Sequence, residues 1–187
     1  MLIQILANRP QMLGSIVTNT PLWVWGLLAA LVTLGLSQAR GRTVTLRRVT
    51  FMPVAMTLFS LWGTATACAS APLFGAVLAV WTGAAAAMLA LIAPLPPPSG
   101  TRYAAATRRF TLRGSWVPLA LILGIFMTRY IVNVELAMQP SLARDSQYTL
   151  FVGAIYGAFS GIFIGRAARL LRLARQPAVT SAPVLTA

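Results

Sequence analysis

Long apolar runs alternate along the chain with short connections that carry arginine. Five runs, Val17–Ser37, Val49–Cys68, Pro72–Ile92, Trp116–Ala137 and Tyr148–Gly165, each approach the ~20 helical residues needed to cross a hydrocarbon core of about 30 Å. Open strands cannot cross lipid with unpaired backbone groups, so the runs are expected to be helices. The expected fold is all-α: a polytopic membrane bundle of five transmembrane helices. Pro21, Pro53 and Pro72 lie early in their runs, where a missing N–H costs least, and Asn19 or Thr20 can cap the first helix. Trp23, Trp25 and Trp116 stand near span ends, the level of the lipid headgroups.

The connections differ in kind. Pro94-Leu95-Pro96-Pro97-Pro98-Ser99-Gly100 is a stiff, non-helical stop to the third run. Thr101–Leu112 is too polar to span, and its Tyr103, Phe110 and Leu112 around a basic middle allow a short hairpin within the loop 94–115. The last run continues unbroken into Arg166–Arg175, so this helix should project past the bilayer. Residues 17–175 therefore form the membrane domain, preceded by an N-terminal extension (1–16) and followed by a disordered tail (176–187) rich in Pro, Ser and Thr. Within the front segment, Met1, Leu2, Ile5, Asn8 and Pro10 recur eleven positions later as Met12, Leu13, Ile16, Asn19 and Pro21. Either a short interfacial helix or a local duplication upstream of a start at Met12 accounts for this repeat.

Composition agrees with the pattern. Of 187 residues, 58% are apolar and 9% charged, against about 25% charged in a usual soluble domain. The formal charge of +13 alone would suggest nucleic acid, but the basic residues lie between spans and leave no folded basic surface, so no nucleic-acid partner is expected. All 15 basic residues are arginine. Arg40, Arg42, Arg47 and Arg48 follow the first run; Arg102, Arg108, Arg109 and Arg113 follow the third; Arg166, Arg169, Arg172 and Arg175 follow the fifth. Arg9 and Arg144 lie on the other side. Basic residues in short loops stay in the cytoplasm, which predicts an outside N-terminus and a cytoplasmic C-terminus. The weak basic region ahead of the first run, with Arg40 and Arg42 just after it, argues against a cleaved signal peptide.

Chemistry-bearing residues are scarce. There is no histidine, the acids are Glu135 and Asp145, and Cys68 is the lone cysteine, read as a small apolar residue near a helix end. No catalytic set, cofactor motif or metal cluster is present in the sequence, so the chain is expected not to be an enzyme and to need no cofactor. Gly153, Gly157, Gly161 and Gly165 make one narrow stripe on the fifth helix, and Gly75, Ala79, Gly83 and Ala87 echo it on the third. Packing within the chain, or a contact with a second copy or another membrane protein, would use such a glycine zipper. Arg166, Arg169, Arg172 and Arg175 are expected to reach anionic headgroups. Arg129 falls inside the fourth span. It either snorkels outward toward Glu135 or Asp145, or faces the bundle, held by Asn133 with Thr64 and Tyr156 at similar depth.

The chain resembles an uncharacterised family of small bacterial inner-membrane proteins known only as a domain of unknown function. The resemblance rests on Thr20-Pro21-Leu22-Trp23-Val24-Trp25, Arg102-Tyr103, Arg108-Arg109-Phe110, Gly114-Ser115-Trp116, Arg129-Tyr130, and Tyr156-Gly157 through Gly165-Arg166-Ala167. It extends from about Thr18, the duplicated front departing from the pattern. The resemblance implies a bacterial inner membrane and no substrate, cofactor or catalytic residue. A non-enzymatic interaction or assembly component is the leading expectation, with a small-solute transporter or permease subunit as the alternative.

Overall fold

A computed structural model describes residue 18 and residues 20–175, leaving the 1–16 extension, Val17 and Asn19 of the expected first span, and the 176–187 tail outside the described residues. The described chain is mostly helical. It runs α1 (Leu22–Ala39), β1 (Arg42–Thr45), α2 (Leu46–Ala67), α3 (Phe74–Ile92), β2 (Arg102–Ala104), β3 (Arg109–Leu112), α4 (Val117–Met138), a 3-10 turn (Pro140–Arg144) and α5 (Ser146–Arg175). All five α-helices are long and apolar enough to cross a membrane. The expected spans are recovered, with ends moved by a few residues. Pro21 is the N-cap of α1 and not its first helical residue, and no side chain caps that end. Thr20 instead shares a hydrogen bond of 2.6 Å with the Tyr130 hydroxyl. Because α2 begins at Leu46, capped by the Thr45 hydroxyl, Pro53 falls inside the helix.

The helices form two groups. α5 lies along α3 and also packs on α2, whereas α1 packs on α4, and α4 touches α5 only lightly. The α5 glycine stripe explains the first group. Gly157 and Gly161 lie directly on the backbone of Trp81 and Ala85, while a Cβ at Gly153 or Gly165 would come within 2.9 Å of Val77 or Ile92. Dispersion contact between backbones at this range holds membrane helices together where no hydrophobic driving force exists. The echoing stripe behaves otherwise. Gly75, Ala79, Gly83 and Ala87 are all exposed, with nothing near the two glycines, so they do not pack within the chain. The face of α3 that meets α5 carries Val77, Trp81 and Ala85. In the second group, Gly35 lies directly against Leu119 and Gly114 against the Ala39 carbonyl, with Ser115 N–H donating to the Gln38 carbonyl at 3.3 Å.

The hairpin expected in the loop is present, and the first loop enlarges it. β3 pairs antiparallel with both β2 and β1, in the order β1-β3-β2, with Val44 and Tyr103 flanking Phe110. Arg108, with a φ of 50°, closes the four-residue connection in the left-handed region. Phe110 is fully buried, its ring 4.7 Å from that of Tyr103. The projecting end of α5 covers this sheet with Ala167, Leu170, Leu171 and Ala174. Those leucines form the sheet's second wall.

Candidate functional site

The gap between the α1–α4 pair and the α2–α3–α5 group is a chamber of about 1260 Å³. Its wall reaches from Thr101, Arg113 and Ser115 at the sheet end to Thr20, Pro21 and Met138 at the other. Between these ends the wall is apolar, with Leu27, Leu31, Ile122, Ile125, Phe126 and Phe163 prominent. Six arginines line it (Arg42, Arg48, Arg113, Arg129, Arg166 and Arg169) and no acid does. The sequence placed charge between spans but gave no sign that two helix groups would part to admit it.

Arg129 is the member that lies within a span. From Val117 it is about 18 Å along α4 at 1.5 Å per residue, and about 14 Å from Met138. Its guanidinium carbon stands 4.5 Å from the centre of the Phe59 ring and 5.8 Å from that of Tyr156. Gly63 makes the room, since a Cβ there would lie 2.7–2.9 Å from the guanidinium atoms. Arg129 thus faces the bundle and does not turn to Glu135 or Asp145. The expected partners are only partly brought together. Tyr156 is present. Asn133, however, is exposed and donates to the Arg129 backbone carbonyl at 2.7 Å, the usual habit of a short amide within a helix. Thr64 is fully buried and donates to the Ser60 carbonyl at 3.0 Å, not to Arg129. Among the described residues no hydrogen bond or ion pair reaches the guanidinium. Phe59 and Gly63 escaped the sequence reading; a glycine interrupting an otherwise apolar helix was the available signal.

The sheet-end arginines are differently occupied. Arg42 donates to Gln38 Oε1 at 2.8 Å. Partial burial, with Arg48 close by, pushes its pKa below the ordinary guanidinium range. Arg172 donates to the Ala93 carbonyl at 2.8 Å and Arg169 to the Pro96 carbonyl. These two therefore satisfy acceptors at the C-terminal end of α3 and in its proline connector, where a cation also complements the helix dipole. These hydrogen bonds are a use of the two arginines that the sequence did not suggest. Arg48, Arg113 and Arg175 are exposed. Cys68 caps α2 and is buried against the Thr149 carbonyl.

No curated protein matches the chain, and no solved structure does. The family of unknown function DUF6622 matches residues 1–181, so the similarity includes the duplicated front segment and does not begin near Thr18. A match over nearly the whole length, carried through all five apolar helices, makes the chain a member of the DUF6622 family.

Proposed function

We propose that this protein is a non-enzymatic integral protein of the bacterial inner membrane that binds an anionic membrane lipid in the chamber between its two helix groups. One observation carries the reading: an apolar chamber lined by six arginines and no acid. An apolar wall accepts acyl chains, and uncompensated guanidinium groups favour an anion over a neutral or cationic ligand. This is a specific form of the interaction role read from the sequence. The transporter reading draws support from a chamber that reaches a charge at mid-depth. A hydrophilic solute is less well served, because between Ser115 and Arg129 the wall contributed by α4 is Pro118, Leu121, Ile122, Ile125 and Phe126. The arginines of the first loop, third loop and final helix support a cytoplasmic sheet end, an outside N-terminus and a cytoplasmic C-terminus. A C-terminal reporter active only outside the cytoplasm would reverse that orientation.

Native mass spectrometry of protein extracted in mild detergent tests the reading. The expected result is a retained anionic phospholipid, diminished by Ile125→Trp, which fills the apolar part of the chamber. Equal retention of neutral and anionic lipid, or none of either, would remove the proposal.

A further inference from the structure

Resting on that reading, we propose that Arg129, seated in the notch at Gly63, anchors the anionic phosphate of the lipid. The lipid then enters from the end of the bundle opposite the sheet and lays its chains toward the sheet.

Position is the first reason. Gly63 lies four residues before the end of α2, about 6 Å along the helix, and Arg129 lies about 14 Å from the end of α4 on this side against about 18 Å from its sheet end. The guanidinium beside Gly63 is therefore within reach of a headgroup dipping from that end. The arginines at the other end have less use for a ligand. Arg42 and Arg169 already donate to oxygens of the chain, Arg48 and Arg113 are exposed, and Arg166, half-buried and without an acceptor among the described residues, is the one rival at that end. Arg129 sits inside a span, with no acceptor among the described residues.

Chemistry is the second. The guanidinium carbon stands 4.5 Å from the centre of the Phe59 ring, and no acceptor among the described residues takes the group's N–H donors. Such a planar fork matches two phosphate oxygens at once. The Thr20 and Tyr130 hydroxyls line the chamber at the same end and can serve the polar glycerol region. Toward the sheet the wall turns apolar through Ile125, Ile122, Leu31 and Leu34. The volume exceeds the roughly 300–1,000 Å³ of small-molecule pockets, which favours a two-chain lipid over a single-chain acid.

The test reconstitutes the full chain in nanodiscs of phosphatidylglycerol and phosphatidylcholine in equal parts, extracts it in mild detergent and counts retained lipids by native mass spectrometry. Wild type is expected to prefer phosphatidylglycerol, and Arg129→Gln to lose that preference by about tenfold. Arg129→Lys keeps the charge without the fork and should retain part of it. Gly63→Ala keeps the arginine but displaces its guanidinium, and should also lower retention; these two variants decide the matter if Arg129→Gln does not fold. Arg113→Gln is expected to lose less than Arg129→Gln. Wild-type preference in both Arg129→Lys and Gly63→Ala, with Arg129→Gln equally unaffected where it folds, overturns the anchor and leaves the lipid reading standing. A larger loss in Arg113→Gln overturns it by moving the phosphate to the sheet end. Displacement of phosphatidylglycerol by equimolar oleate overturns the two-chain occupant. Retention of neither phospholipid by wild type removes the lipid reading itself.

Discussion

Gly157 of α5 lies directly on the Trp81 carbonyl of α3, leaving no room for even a methyl group between the two backbones. Gly157→Ala or Gly161→Ala should therefore part the helices, at a cost of ~1–3 kcal/mol typical of overpacking. Gly75→Ala and Gly83→Ala, which meet open space, should be nearly neutral. Thermal unfolding in one detergent compares all four, and equal melting points would refute the assignment of the stripe.

Tyr130→Phe removes one partner of the Thr20–Tyr130 hydroxyl pair. Hydrogen bonds between membrane helices average about 0.6 kcal/mol and reach about 1.7, so a loss in that range is expected. A double-mutant cycle with Thr20→Val measures it; additive single effects would mean that the bond contributes nothing.

Arg172→Ala leaves the Ala93 carbonyl without its guanidinium donor at the end of α3. The expected destabilisation is about 1.5–3 kcal/mol or less where water replaces the donor, and it should be local. Faster amide exchange around Ala93 and Leu95, with the middle of α3 unchanged, is the predicted signature. Arg175→Ala, at an exposed position, should leave that exchange rate alone.

Phe110→Ala empties the centre of the contact between the sheet and the end of α5, where the wild-type ring is fully buried. Such truncations cost ~3–5 kcal/mol in a packed core. Because the contact lies at one end of α2 and α5, the loss should appear first as faster trypsin cleavage at Arg108 and Arg109, with a smaller fall in the melting of the helices.

The five helices were legible because lipid imposes one rule on every backbone group, and twenty apolar residues in a row satisfy it in only one way. The hairpin was legible from Tyr103 and Phe110. β1 was not: Arg42–Thr45 is four residues long and is a strand only because Leu112 and its neighbours arrive beside it from a distant part of the chain. The α5 glycines announced a close approach but not its target. A narrow stripe accepts any backbone laid along it, and Trp81 and Val77 can straddle it as well as small residues can. The depth of Arg129 followed from counting. Its neighbours did not, because Phe59, Gly63 and Tyr156 meet it only through the packing of three helices. Asn133 was misjudged for a local reason, since the carbonyl one turn back competes for its amide and wins.

The division of the bundle sets an order of assembly. α1 finds its partner in α4, and their hydroxyl contact joins residues 110 positions apart. Helices that entered a bilayer in chain order would leave α1 without that partner while α2 and α3 are made. Until Leu119 arrives, Gly35 has nothing to close on. α5 comes last, closing on α3 along its glycines and packing on α2 with other residues. A chain halted after α3 would hold three spans in the bilayer, with neither helix group complete and no chamber between them.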